Sequence, residues 1–226
     1  MSAKNVTDVQ VRGSRDGAAE EGILGPPRFL ETVKLQDGRY RLVDLHQGRM
    51  AGTWREAFGS EPGFRLEDVL PPPPDGGLYR ARVRYPGPDG RALVTLHSYA
   101  FPRIETLRLV SDPGVDYRMK LLDRSALDAL KASCGASDFI LVREGGLTDA
   151  SMANLVFEGD GGLFTPDGCL LRGVKRESLL KSGRVSMRRI GPRELGLFRK
   201  VYFVNAMIDL EDDVSVPVWR ILPFLA

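Results

Sequence analysis

Strand-like and helix-like stretches follow one another irregularly along this chain of 226 residues, with no internal repeat and no steady β-α-β rhythm. That pattern argues against a doubly wound parallel sheet or an eightfold barrel and for an α+β (mixed α/β) fold in two lobes. Arg28–Leu35 reads as a strand ended by a turn at Asp37-Gly38. Asp44 is placed to N-cap a helix reaching about Phe58, with Leu45, Met50, Trp54 and Phe58 as its apolar positions. A short helical piece, Leu66–Leu70, must stop at Pro71–Pro74, because proline lacks the amide hydrogen and clashes with the preceding turn. Leu78–Tyr85 and Ala92–Tyr99 alternate in polarity around a Pro/Gly turn and predict a hairpin, with a further strand at Ile104–Val110.

The pattern shifts near Pro113-Gly114, which sets the expected division: a flexible leader over residues 1–22, a small α/β lobe over 23–112 and a larger lobe over 113–226. In the second lobe, Ser125–Ser133 predicts a helix and Asp138–Arg143 a strand turned at Glu144-Gly145-Gly146. Ala153–Glu158 and Gly162–Thr165 follow as strands, then a helix from Gly173 to about Lys181 and strands at Val185–Ile190 and Val201–Val204.

Composition removes whole classes of function. Lys and Arg number 32 against 30 Asp and Glu, so net charge draws the chain to neither nucleic acid nor anionic membrane. Two cysteines (Cys134, Cys169) and two histidines (His46, His97) are too few for a disulfide framework or a Cys/His metal centre, so no metal is expected. No apolar run approaches the ~20 residues of a spanning helix, and the first residues lack the apolar core of a secretory signal. A cytoplasmic location is expected. GxGxxG, P-loop, GxSxG and HExxH signatures are absent.

Four local features remain. Lys120, between Met119 and Leu121-Leu122, sits where partial desolvation would lower its pKa and make it a usable nucleophile; taken alone, it reads more readily as a surface lysine at a helix start. Asp149 and Asn154 follow a glycine turn and precede an apolar strand, so Asp149 is either a buried carboxylate needing a cation or a solvated Asx-turn. Gly173-Val174-Lys175 opens a helix whose free N–H groups suit a phosphate, as many helix starts after glycine do. Arg49 lies on an amphipathic helix, able to grip phosphate with two nitrogens or to remain solvated. An amine, a carboxylate, a helix N-terminus and an arginine are together what pyridoxal 5'-phosphate (PLP) requires.

Six segments in order carry a resemblance: FLETVKLQDGR, DLHQGRM, DYRMKLLDRSALDAL, GGLTDASMANLVF, LFTP…LLRGVKRESLL and VYFVNAM. From about Pro27 to Pro217 the chain resembles the class IV (fold type IV) PLP-dependent aminotransferases, a family that includes branched-chain and D-amino-acid aminotransferases and aminodeoxychorismate lyase. The resemblance implies a small α/β lobe followed by a larger one with a pseudo-barrel, PLP between them, and a homodimer whose partner completes the substrate mouth. Lys120, in Lys-Leu-Leu-Asp-Arg, matches the lysine that the family links to PLP. Arg49, in His-x-x-Arg, matches the phosphate arginine, while Gly173, Val174 and Lys175 match the phosphate loop, donating mainly through backbone N–H. Asp149 stands where most members carry the glutamate that pairs with the pyridine nitrogen, and Asn154 lies in the same segment. Asn205-Ala206-Met207 matches the Asn-Ala-Leu segment beside the cofactor in lyase-like members.

The departures are the shorter Asp149, Lys175 in place of threonine, and a trimmed first lobe with no clear counterpart of the family's substrate-carboxylate motifs. Arg103 and Met207 are candidate substrate contacts, Arg103 also reading as a surface arginine. The expected activity on a small-molecule amine is the elimination of pyruvate from 4-amino-4-deoxychorismate to give 4-aminobenzoate, with Lys120 as proton carrier. The alternatives are an aminotransferase acting on a small amino acid through the same lysine, or a non-catalytic PLP-fold binding module.

Overall fold

The computed structural model describes residues 11–12, 28–74, 76–87, 91–112 and 114–224. They belong to two compact units, Met1–Ala100 with Met119–Asp123, and Phe101–Arg118 with Arg124–Ala226. Of the leader expected over residues 1–22 only Val11–Arg12 is described, and it is a short strand; the rest of that expectation lies outside the described residues. The same holds for Pro113 and for the tip of the hairpin turn at 88–90.

In the first unit, β1 (Val11–Arg12), β2 (Phe29–Gln36), β3 (Arg39–Tyr40), β4 (Leu78–Tyr85) and β5 (Leu93–Ser98) form one antiparallel sheet in the order β1-β5-β4-β2-β3. The two-residue link between β2 and β3 places Asp37 at φ 51 and Gly38 at φ 73, the left-handed pair that matches the twist of a tight hairpin. Two helices accompany the sheet, α1 (Val43–Phe58) and α2 (Leu66–Val69). Side chains alternate across a strand, and here the alternation separates two faces with different chemistry. Phe29, Val83, Tyr85 and Val94 pack with Met50 and Trp54 of α1. The opposite face carries Thr32, Lys34, Arg80, Arg82, Arg84, Thr95 and His97, set side by side by the strand register.

Helix α1 differs from its sequence-based expectation in two respects. Leu42, in a left-handed conformation (φ 56), is the N-cap, and Asp44 sits in the first turn, where its charge still favours the positive end of the helix dipole. The buried stripe is His46, Met50, Thr53 and Trp54, one position away from Leu45. That shift follows from His46 having a buried acceptor on the strand beneath it.

Residues Met119–Asp123 add a short antiparallel bridge to β2. Leu121 pairs with Phe29, Leu30 N–H donates to the Lys120 carbonyl (3.0 Å), and Leu122 N–H donates to the Arg28 carbonyl (2.9 Å). Met119 and Leu121 pack against the cluster around Trp54, so hydrophobic neighbours on both sides anchor the backbone of Lys120.

The second unit contains β6 (Leu107–Ser111), α3 (Ser125–Ser133), β7 (Asp138–Arg143), β8 (Gly146–Leu147), β9 (Asn154–Gly159), β10 (Gly162–Pro166), α4 (Val174–Lys181), β11 (Ser186–Arg188), β12 (Phe198–Val204), β13 (Ser215–Pro217) and β14 (Ile221–Leu222). They make two mixed sheets, β11-β10-β9-β12-β13 and β14-β6-β7-β8. Strand β6 lies on the near side of Pro113, yet it pairs in parallel with β7 and so belongs to this unit. Leu109, Ile140, Leu155, Phe157, Val201 and Phe203 form a core against which the loop after β8 packs through Ala150 and Ala153. The α+β class expected from the sequence is the class observed.

Candidate active site

In the first unit the chemistry gathers on Glu31. This glutamate lies in the middle of β2 on the core side of the sheet and is fully buried. An isolated carboxylate could not stay ionised there, but α1 supplies partners. His46 Nδ1 lies 2.6 Å from Glu31 Oε2, Arg49 Nε donates to Oε1 at 3.0 Å, and Arg49 Nη2 bonds Oε2. Burial pushes the Glu31 carboxyl up, but the Arg49 guanidinium and the His46 hydrogen bond outweigh it and bring it down to about 2. Burial pushes His46 down more strongly than Glu31 lifts it, so the ring is neutral with its Nδ1–H donated to Glu31. His46 Nε2 is buried without a hydrogen-bond partner, and the Lys120 charge adds a little to the lowering of the ring's pKa. Arg49 keeps an accessible edge, its side chain 12% exposed, while Lys120 is half-buried.

In the second unit the chemistry gathers on Asp149, also buried. Oδ2 accepts N–H bonds from Leu170 (3.0 Å) and Leu171 (2.9 Å), and Oδ1 accepts from Asn154 Nδ2 (2.9 Å). Burial raises its pKa to about 6 against the pull of these donors and of Arg176. A carboxylate has about four lone-pair positions, so three bonds leave one acceptor site open on Oδ1. Asn154 also donates to the Leu171 carbonyl (2.9 Å), which ties the loop before α4 to the start of β9.

Gly173, the N-cap of α4, has no side-chain cap, so the first-turn N–H groups of Val174 and Lys175 have no acceptor within the helix. Its glycine identity is steric: a Cβ there would lie 1.9 Å from Asn154 Oδ1. Gly173→Ala should therefore displace Asn154 or the loop and destabilise the protein by about 1–3 kcal/mol. A thermal melt should show this as a drop of several degrees; an unchanged melting temperature would refute the packing argument.

The remaining candidates fall as follows. The Lys175 ammonium pairs with Asp209, so its charge is engaged and its backbone N–H is the free donor. Asn205 Oδ1 accepts from Met207 N–H (2.8 Å) and Ile208 N–H (3.1 Å), and its Nδ2 donates to the Met152 carbonyl (3.1 Å); Asn205 thus shapes the turn that holds the half-buried Ala206. Met207 is buried. Arg103 is 88% exposed and paired with its neighbour Glu105, the setting of a surface arginine. Glu31 and Arg176 were not picked out from the sequence. A glutamate inside the apolar run FLETVKL was a signal for the first. Arg176, whose Nε donates to Thr165 (3.1 Å) and Nη2 to the Pro166 carbonyl (2.8 Å), had none.

Residues 77–210 match the family model of amino-transferase class IV. The chain belongs to the class IV aminotransferases. An uncharacterized protein of Haemophilus influenzae is 31% identical over 184 residues, covering 79% of this chain and 97% of that one. Among solved structures, a proposed 4-amino-4-deoxychorismate lyase from Haemophilus somnus superposes with a TM-score of 0.72 at 24% identity, over 81% of this chain and 98% of that one. The PLP-bound form of a hypothetical aminotransferase from Mycobacterium tuberculosis gives 0.64 at 18% identity, over 88% and 86% of the two chains. At these identities the structures establish the fold, which is that of a fold type IV enzyme. No helix among the described residues of this class IV aminotransferase is long and apolar enough to cross a membrane.

Proposed function

We propose that this class IV enzyme binds PLP and eliminates pyruvate from a 4-amino-4-deoxychorismate-like amine, giving 4-aminobenzoate. The observation that carries the cofactor assignment is the Asp149 carboxylate, buried, ionised at neutral pH and left with one open acceptor position. That is the environment a protonated ring nitrogen requires. The donor set fits the rest of the cofactor: Arg49, held by Glu31, and the uncapped N–H groups of Val174 and Lys175 suit a phosphate, and Lys120 supplies the amine. When bound, PLP supplies an electron-withdrawing ring that acidifies the C–H bond beside the substrate nitrogen.

The chain's own residues do the remaining work. Lys120 takes the proton from the carbon bearing the amine. Pyruvate then leaves with the electrons of its C–O bond, a proton is returned to its methylene carbon, and the substrate ring becomes aromatic. Glu31 and His46 orient Arg49 without touching the substrate. Support for elimination over amino transfer comes from Asn205-Ala206-Met207, which matches the lyase-like pattern, and from aromatisation as a driving force that tolerates the shorter Asp149. The enzyme is taken to work in the cytoplasm as a homodimer, the usual assembly in the family.

Pyruvate released from aminodeoxychorismate, followed with a coupled lactate dehydrogenase assay, tests the reaction. Amino transfer to a 2-oxo acid without pyruvate release would reassign it as an aminotransferase. Borohydride reduction should bleach a yellow absorbance and leave a mass adduct on Lys120; an adduct elsewhere would overturn the lysine assignment.

A further inference from the structure

Between β8 and β9 the chain carries Asp149 and turns back on itself, and the two sides of Asp149 are held by different means. Before it the hold is main chain to main chain: Thr148 N–H donates to the Leu141 carbonyl (2.9 Å), and Leu141 N–H donates to the Asp149 carbonyl (3.0 Å). Beyond it Ala150 N–H donates to the Ala153 carbonyl (3.0 Å), with Ser151 and Met152 at the tip between them. A tip closed by one such bond hinges unless side chains hold it. Asp138, at the start of β7, supplies that hold, and it is fully buried. Its Oδ2 accepts from Ser151 Oγ–H (2.8 Å), and its Oδ1 accepts from Ser151 N–H (3.3 Å) and Phe139 N–H (2.8 Å). Arg124 Nη2 donates to the Ser151 carbonyl (2.7 Å), so Ser151 is bonded through its amide, hydroxyl and carbonyl groups.

Ion pairing does not account for a carboxylate in this place. Its cation, Lys131 Nζ, lies 3.5 Å from Oδ2 on a side chain that is 40% exposed, so water screens much of the attraction. Burying a carboxylate costs desolvation energy that so exposed a partner does not offset, and an apolar residue would fill the position without that cost. The bonds to Ser151 are what an apolar residue could not make. Ser151 lies two residues beyond Asp149, and the acceptor position left open on Asp149 is of use only if the loop presents it in a fixed direction. We infer that Asp138 is a positioning residue: through Ser151 it fixes the turn at 149–154, and with it the direction in which Asp149 offers its open acceptor. That this acceptor receives a ring nitrogen rests on the function proposed above; the fixing of Asp149 does not.

Amide hydrogen exchange of the purified chain tests the positioning. In Asp138→Ala the amides of Leu170 and Leu171, which bond the Asp149 carboxylate, should exchange at least roughly tenfold faster than in the parent. Amides of the β9–β12 ladder should change by less than about twofold. Asp138→Asn, whose amide can still accept from Phe139 and Ser151 N–H and can donate to Ser151 Oγ, should stay close to the parent. Ser151→Ala removes the hydroxyl bond alone and should give an intermediate rise, which keeps the test decisive if Asp138→Ala does not fold. Unchanged exchange of Leu170 and Leu171 in either alanine variant would overturn the inference. So would an equal rise in the β9–β12 ladder, which would signify a general loss of stability. Calorimetric titration of the PLP-free chain with 4'-deoxypyridoxine 5'-phosphate, and with benzyl phosphate, which has no ring nitrogen, tests the reading beneath it. The parent should bind the first at least roughly tenfold more tightly, and Asp138→Ala should narrow that preference without weakening benzyl phosphate. No preference in the parent, with Leu170 and Leu171 exchange still dependent on Asp138, would refute the ring-nitrogen role of Asp149 and leave the positioning standing.

Discussion

Lys120→Ala should leave a folded protein whose pyruvate release falls by at least roughly 10²–10⁴-fold, the range ascribed to a positioned proton carrier alone. The variant should fold because main-chain bonds and apolar neighbours hold this segment. The bonds that hold the segment, from Leu30 N–H to the Lys120 carbonyl and from Leu122 N–H to the Arg28 carbonyl, are made by the main chain. The hydrophobic anchors are Met119 and Leu121. Truncating a half-buried lysine in such a place should change stability by less than about 1 kcal/mol. Lys120→Arg separates charge from chemistry: it keeps a cation at position 120, but a guanidinium neither deprotonates near neutral pH nor acts as an amine nucleophile. It should therefore be as inactive as the alanine variant. Comparable turnover in either variant would remove Lys120 from the mechanism.

What the sequence disclosed here was local, and what it concealed depended on packing. The turn at Asp37-Gly38, the stop at Pro71–Pro74 and the helix opening after Gly173 each follow from residues within one turn of each other, and each is where expected. The partners of Glu31, and the backbone partners of Asp149, are remote. Glu31 meets His46 and Arg49 at separations of 15 and 18 residues, and Asp149 meets Leu170 and Leu171 at 21 and 22. Neither pairing leaves a periodic trace. The same remoteness explains the one-residue error in the face of α1: by apolarity alone Leu45 outranks His46, and only Glu31 on the strand beneath reverses the order. The arginines of β4 were legible as alternation, hence as a strand, but a net charge of +2 averages away a cationic stripe on one sheet face. Likewise, the methylene missing from Asp149 suggested a weak cofactor partner. The structure shows a loop that brings Leu170 and Leu171 to one of its oxygens and leaves the other with an open position.

Glu31→Gln should lower stability by about 3–5 kcal/mol at pH 7, as expected when one partner of a buried ion pair is removed and the Arg49 guanidinium is left facing a neutral amide. The pH dependence distinguishes this from a simple packing defect. Glu31 goes from 4.5 in the unfolded chain to about 2 in the folded one. A carboxyl whose folded pKa is lowered contributes stability that is present above its unfolded value and is lost as pH falls towards its folded value. The shift corresponds to about 3 kcal/mol at pH 7 and about 1 kcal/mol at pH 3. Asp149 works in the opposite sense: its pKa is raised from 3.8 to about 6, so its contribution is present below 3.8 and lost as pH rises through 6. Because Asp149 is common to both proteins, its contribution cancels when parent and variant are compared at the same pH. Urea unfolding at pH 7 and pH 3 should thus show the gap between parent and Glu31→Gln narrowing by about 2 kcal/mol on acidification. A gap of constant size would mean that Glu31 is held by shape rather than by charge, and that Arg49 keeps its orientation without the ion pair.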